Sequence, residues 1–359
     1  MEEIMKNIEL VVPDLKKYYY EKKLNEDPET MSYNAGYDVS YDGYNYDDGT
    51  ILFPRDKWKK TYLKRQKSDR YFAYINDTVI NRYVGYVNYQ YNCDDDRYEC
   101  GVLIEAKYRG KGYSRDALRL LIMTAKLNGI DYLYDNFEAD RGNTLELFKS
   151  IGFEVMEHQK WKKFHKDVDG VIVRIKTDIV ERDLLRIKNK EDILDFMKKY
   201  IRYGWRDVNG KFHINTMKEF RRIYRTGSIQ DTLKYGIGTC VEQVAFMKYL
   251  ADKINLKAKM FCTRVYEKED FNDMDAEERM HCFILVYDSN KVYHIEHPNR
   301  YRIGIYEYDN ELEALEKINK YFVELSGGIS RPVTEFYEVK EKLSFKEFNA
   351  YINSLKESL

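Results

Sequence analysis

Residues 98–122 read YECGVLIEAKYRGKGYSRDALRLLI, with Arg109-Gly110-Lys111-Gly112-Tyr113-Ser114 at the centre. Ahead of the glycines lies an apolar, strand-like run from Cys100 to Ile104. Behind them Ala117, Leu118, Leu121, Ile122 and Ala125 recur at helical spacing. A strand, a basic glycine turn and a helix together make an anion site. Glycine lets the backbone approach a ligand closely. The amides at the helix start, at the positive end of its dipole, then point at the ligand. Arg109 and Lys111 add full charges.

Spacing separates this turn from two familiar phosphate loops. A dinucleotide fold wants GxGxxG in the first strand-turn-helix unit of its domain, and a nucleotide-triphosphate loop wants GxxxxGK followed by Ser or Thr. Neither is present. The residues resemble instead the (Arg/Gln)-x-x-Gly-x-(Gly/Ala) pattern of the GNAT family of acyl-CoA-dependent N-acetyltransferases. Arg109 and Gly112 fit, and Ser114 fills the last, small position. Upstream, Ile104-Glu105-Ala106-Lys107-Tyr108 resembles the family's Val-x-Pro-x-Tyr, with Ala106 in place of Pro. Downstream, Asn143 precedes an apolar helical stretch that runs through Leu147-Phe148 to Gly152-Phe153. That is similar to the family's Asn and Leu-Tyr-x-x-x-Gly-Phe segment, and Gly152 reads as a helix-ending glycine. The resemblance spans roughly Ile8 to Thr177.

The resemblance implies a mixed twisted sheet flanked by helices, with acyl-CoA in a splay between two central strands. The pyrophosphate would rest on the amides of Arg109, Gly110, Lys111, Gly112, Tyr113 and Ser114. The pantetheine arm would pair with main chain around Leu103 and Ile104, and Asn143 would face the cofactor. The implied reaction moves an acetyl group from acetyl-CoA to a primary amine on a small molecule or peptide. Such a step needs a base for the amine and an acid for the departing thiolate. Glu99 matches a position where many members keep the base, and reads equally as a solvated carboxylate at a strand end. The family's acid is a Tyr where this chain has Phe148, so another Tyr serves, water serves, or the domain is not a fast acetyltransferase. Ser32 to Gly49, rich in Tyr, Asp and Gly, falls where acceptor-binding segments lie in that family. It reads as a solvated loop or as an attractor of cationic amines.

With 359 residues and 43% hydrophobic composition, two domains are expected. We assign them to 1–178 and 183–359, with the charged stretch Thr177 to Arg182 as a linker. Ile193, Phe196, Met197 and Tyr200 then mark one face of a helix, and a second helix is expected over Thr216–Tyr224. Next, Tyr235-Gly236-Ile237-Gly238-Thr239-Cys240 puts a cysteine at the start of a helix, where the dipole stabilises a thiolate. His281 opens an alternating run to Tyr287, and after a turn at Asp288-Ser289-Asn290 the strand Lys291–Glu296 returns. In a hairpin centred near Ser289, His281 and Glu296 fall at the same open end. Cys, His and carboxylate form a layout for thiol catalysis.

This half resembles the transglutaminase-like (papain-like) superfamily, over Leu184 to Tyr337. The match rests on Gly238-x-Cys240, on His281-Cys282-Phe283, and on Glu296 where the family has Asp. It implies a helix plus antiparallel sheet domain, so the whole chain is expected to be α+β. Cys93, Cys100, Cys262 and Cys282 read as core packing. His294 and His297 compete with His281 as partners of Cys240, but no Cys-x-x-Cys pair completes a metal site, and no metal is expected.

Five scattered cysteines, an odd number, do not make a disulfide framework. With no apolar leader and no long apolar run, a cytoplasmic, reduced protein is expected. Lys+Arg 60 against Asp+Glu 61 leaves no basic field for nucleic acid. Many Tyr and few Pro suit an AT-rich bacterial genome.

Overall fold

The computed structural model describes residues 6–141, 143–214, 216–266 and 279–358. The chain divides into two compact units, Lys6–Arg182 and Asp183–Leu359.

The first unit is built on a seven-stranded sheet. Its strands are β1 (Ile8–Val11), β2 (Arg70–Asp77), β3 (Arg82–Asn92), β4 (Arg97–Ile104), β5 (Tyr132–Glu138), β6 (Glu154–Lys163) and β7 (Lys166–Lys176). They lie in the order β1-β2-β3-β4-β5-β7-β6. Every pairing is antiparallel except that of β4 with β5. Those two parallel strands share one register pair, Glu99 with Tyr134. From Gly101 onward β4 has no ladder partner in β5, so the middle of the sheet is splayed.

Five helices cover this sheet: α1 (Tyr19–Asn25), α2 (Pro28–Met31), α3 (Arg55–Arg65), α4 (Tyr113–Leu127) and α5 (Thr144–Ile151). The apolar stripe of α4 behaves as its spacing requires. Ala117, Leu118, Leu121, Ile122 and Ala125 are all fully buried, and α4 packs on β1, β3 and β4. Gly152 ends α5 in the left-handed region, at φ 115°. The Phe153 amide there donates back to the Phe148 carbonyl at 3.0 Å, a Schellman-type closure. Tyr20, Leu24 and Met31 from α1 and α2 pack with Phe72, Tyr74 and Leu103. Buried tyrosines need partners: Tyr20 donates to Glu105 at 3.2 Å and Tyr74 to the Lys17 carbonyl at 3.0 Å.

The stretch expected as a linker is partly helical. Ile179–Leu184 forms α6, because Ile179 and Val180 are an apolar pair that buries. The Thr177 hydroxyl also bonds the Ile130 carbonyl at 2.6 Å. The boundary between the units falls at the end of this segment, between Arg182 and Asp183.

In the second unit, α7 (Lys190–Tyr200) buries Ile193, Phe196, Met197 and Tyr200, as read. The strands β8 (Arg202–Asp207), β9 (Phe212–Ile214), β10 (Tyr224–Arg225) and β11 (Ile237–Gly238) form a small sheet around β8. The helix expected over Thr216–Tyr224 shrinks to one turn, α8 (Phe220–Ile223). Glu219 takes φ 63°, and the Trp205 indole captures the Thr216 carbonyl at 2.5 Å. Both interrupt a helical ladder, and Tyr224 leaves for β10.

After α9 (Ile229–Tyr235) comes α10 (Cys240–Lys253). It packs on β12 and β13 of a five-stranded antiparallel sheet. That sheet contains β12 (Lys257–Tyr266), β13 (Arg279–Asp288), β14 (Lys291–Glu296), β15 (Gly304–Tyr308) and β16 (Ile329–Phe336), in the order β15-β14-β13-β12-β16. Helix α11 (Glu311–Ser326) adds Leu315 and Ile318 to a core with Phe261, Phe283, Leu285 and Val292. The chain closes with α12 (Phe345–Asn353). The two units together are α+β. Among the described residues no helix is long and apolar enough to cross a membrane.

Candidate functional site

Two constellations are candidates for chemistry, one in each unit. In the first, the splay between β4 and β5 opens into a cleft of about 580 Å³. Leu103 and Ile104 of β4, Asp135 to Glu138 of β5, and Arg109 and Ser114 of the glycine turn all line it. Gly110 and Gly112 sit at φ 72° and 84°, a left-handed backbone that costs a side-chain-bearing residue about 1–2 kcal/mol. No heavy atom lies within 4 Å of where a Gly110 Cβ would stand. Among the described residues no acceptor is bonded to the amides of Gly110 to Ser114. An open cradle of free amides at the start of a 15-residue helix suits a diphosphate group.

Several side chains depart from the expected roles. The Arg109 guanidinium is held by the carbonyls of Ile104, Glu29 and Thr30. It clamps the turn to α2, leaving the backbone to face the cleft. Lys111 lies over the Tyr108 ring at 5.4 Å. Tyr113 is buried and donates to Asp77 at 2.5 Å, so only its amide faces the turn. Asn143 stands exposed at the N-cap position of α5 without a side-chain capping bond, and its neighbours Arg141 and Thr144 line the cleft instead. Glu99 accepts from Arg97 at 2.8 Å and Asn92 at 3.2 Å. Phe148 sits in the cleft and packs on Phe137 and Phe153, with ring centroids 4.9 and 4.7 Å apart.

Sequence reasoning missed Asp135. It is a carboxyl in the cleft wall, and burial pushes it up to about 8. The signal available was an Asp in mid-strand, a residue depleted there. Tyr33 and Tyr86 also face the cleft, and burial raises both hydroxyls. A second cavity of about 600 Å³ shares Tyr33, Asn136, Phe137, Glu138 and Arg141 with the first. The segment Ser32 to Gly49 contributes little negative charge to it. Asp42 pairs with Lys57 at 2.7 Å and Asp48 accepts from Thr50, and of the four aspartates in that segment Asp38 lines the cavity.

In the second unit Thr239 and Glu242 form a capping box at the start of α10. It fixes Cys240 as the first helical residue. The Cys240 thiol is under the influence of Cys282 first and of His281 next. Together they outweigh burial and hold it well below the ordinary thiol range. His281 lies 2.8 Å from the Glu296 carboxylate. Burial opposes its charge, yet Glu296 and Cys240 raise the imidazole to about 10. Burial works against the Glu296 charge as well, and His281 and His294 overcome it, holding the carboxyl well below its usual range.

The hairpin places the pair differently from the expectation. Ser289 and Asn290 both take left-handed φ, and Ile284 pairs with Ile295. Continuing that register sets Glu296 opposite Phe283. His281 is its diagonal neighbour on the same face, within reach of a long side chain. The extra methylene of Glu over Asp spans that offset. His294 is fully buried and driven down by burial. His297 bonds Gln243 at 2.7 Å and burial pushes it down to about 4. Neither partners Cys240. Cys282 and Cys262 are cross-strand neighbours, both buried and both free thiols. Among the described residues no group of three or more His, Cys, Asp or Glu is arranged to hold a metal.

Comparison with known proteins supports one of the two halves. Residues 33–153 match the sequence profile described as the Acetyltransferase (GNAT) family, whose members use acetyl-CoA as co-substrate. No curated protein gives a significant match. Solved structures similar to this chain include spermidine N-acetyltransferase from Vibrio cholerae in complex with CoA and spermine, at 15% identity and TM-score 0.40, over 48% of this chain and 96% of that one. A GNAT-family acetyltransferase from Bacillus anthracis aligns at 14% and 0.38, over 50% and 99%. An N-acetyltransferase from Staphylococcus aureus Mu50 aligns at 15% and 0.38, over 48% and 99%.

Proposed function

We propose that the unit Lys6–Arg182 is an N-acetyltransferase that moves an acetyl group from acetyl-CoA to a primary amine. The observation that carries this reading is the splay. Strands β4 and β5 share one register pair and then part over a cleft that ends at the free amides of Gly110 to Ser114. A peptide-like pantetheine arm suits the open flank of β4 at Leu103 and Ile104, and a diphosphate suits the turn. The second cavity, which shares the β5 wall, suits the acceptor. Arg141, Lys160 and Lys162 face it with Asp38 and Glu138, a mixed lining that favours an amine carrying its own anionic or neutral polar groups over a polycation. Titration calorimetry with acetyl-CoA tests the reading. Micromolar binding is expected, followed by thiol release with a diamine, an aminosugar or a dipeptide with a free N-terminus. Absence of heat at high micromolar cofactor would sink it.

A second reading concerns the unit Asp183–Leu359. The hydrogen-bonded His281–Glu296 pair favours it, together with its effect on the thiol of Cys240 at the start of α10. On this reading the unit is a transglutaminase-like thiol hydrolase or acyltransferase of amidase or protease type. Cys240 is the nucleophile, His281 the base and Glu296 the group that orients it. Rapid, selective labelling of Cys240 by iodoacetamide at neutral pH is expected. Labelling no faster than that of the exposed Cys93 would rule it out.

A further inference from the structure

The acetyl-transfer reading leaves one chemical task without an owner, and the cleft holds a candidate for it. Phe148 occupies the aromatic cluster against Phe137 and has no proton to give. Two carboxyls line the cleft, Asp135 and Glu138. Glu138 is engaged by Lys163 and by the Tyr37 hydroxyl, both at 2.6 Å, and is held ionised. Glu99 is bound to Arg97 and does not line the cleft. Asp135 differs from both. It follows the single rung between β4 and β5, where the strands begin to part. One of its oxygens accepts from the Asn136 amide at 2.8 Å, and the other has no hydrogen-bond partner among the described residues. Arg141 and Glu99 are the charges that act on it, with opposite signs.

We propose that Asp135 is the acid of the acetyl-transfer step, standing in for the tyrosine that Phe148 replaces. The inference rests on the acetyltransferase reading. Asp135 waits as the neutral carboxylic acid, because burial keeps its proton on at neutral pH. As the amine nitrogen forms its bond to the acetyl carbon, the carbon–sulfur bond breaks and its electron pair leaves with sulfur. Asp135 gives its proton to that sulfur and becomes a carboxylate. It then recovers a proton from the acylated nitrogen, so that amine and thioester end as amide and free thiol with nothing else consumed. A half-buried carboxyl in the cleft wall that keeps its proton is the right donor for this step, since it is charged only after the thiolate has been neutralised.

The test uses the full chain and the variants D135N, F148Y and D135N/F148Y. In wild type, kcat is expected to fall on the alkaline side, with a midpoint near about 8. D135N should lose that limb and about a hundredfold in kcat, with the KM for acetyl-CoA unchanged. The double variant should regain at least about tenfold, because a tyrosine then occupies the vacant acid position. A readout independent of turnover is the carbon-13 signal of the Asp135 carboxyl, whose titration midpoint should move on saturation with CoA. Unchanged kcat in D135N, or a midpoint indifferent to CoA, overturns the proposal. In either case acetyl-CoA still binds the wild type. Failure of the wild type to bind acetyl-CoA instead overturns the underlying reading, and this proposal with it.

Discussion

At the residue scale, the two constellations set protons in opposite ways. Cys240 and His281 make an internal proton transfer, thiol to imidazole, so between their shifted values the pair is charged with no net change in protons bound. A free thiol gains reactivity about tenfold per pH unit below its usual value near 8.5. Cys240 should not. Its iodoacetamide labelling rate is expected to stay flat from about pH 6 to about pH 9, and E296Q should lower it by about tenfold by releasing the imidazole. Asp135 acts on stability. Its folded value, about 8, lies above the ordinary 3.8. The folded state is therefore penalised as pH rises through that interval. D135N should be more stable than wild type at pH 8 in urea unfolding, and the gap should close near pH 4. A gap that widens on acidification would contradict the assignment. Activity and stability are thus expected to move in opposite directions at this position.

At the element scale, the capping box that seats Cys240 is itself a buried polar network. Glu242 accepts from the Thr239 amide and hydroxyl, the Tyr224 hydroxyl and the Gly227 amide. T239A removes the cap and one donor to a buried carboxyl, and should cost about 1–2 kcal/mol by chemical denaturation. Labelling of Cys240 should slow as well, because the first turn of α10 frays. Elements with a strong local pattern were legible in the sequence. The stripe of α4 and the glycine after α5 follow from side-chain period and from φ alone, whereas the hairpin of β13 and β14 was legible in place but not in register. The helix expected over 216–224 was not legible, because a distant indole and one left-handed glutamate decide it. The roles inside the glycine turn were half legible. Backbone conformation followed from the glycines, but Arg109 was claimed by carbonyls some 80 positions earlier in the chain, which no local pattern records. Asp135 stayed hidden for the same reason, since burial is a property of the assembled sheet.

At the scale of the molecule, each unit has its own sheets and its own candidate site. A ligand of one adds stability as RT ln(1 + [L]/Kd), about 2.7 kcal/mol at a hundredfold excess over Kd. The seven-stranded sheet gives that linkage a location. Two edges face each other inside it, β4 beyond Glu99 and β5 beyond Tyr134, joined by one rung. An exposed edge is ordinarily a hazard that invites a foreign strand. Here the invitation is turned inward, and a ligand with amide groups can enter as a removable strand. Without it, the two ribbons β1–β4 and β5–β7 share a single ladder pair, and we expect them to breathe about it. Hydrogen–deuterium exchange should show this breathing as fast exchange along 101–104 and 136–138, slowed by CoA, while β2 and β3 stay protected throughout. The ligand's arrival would then be readable as a closing seam, before any acceptor amine has been identified.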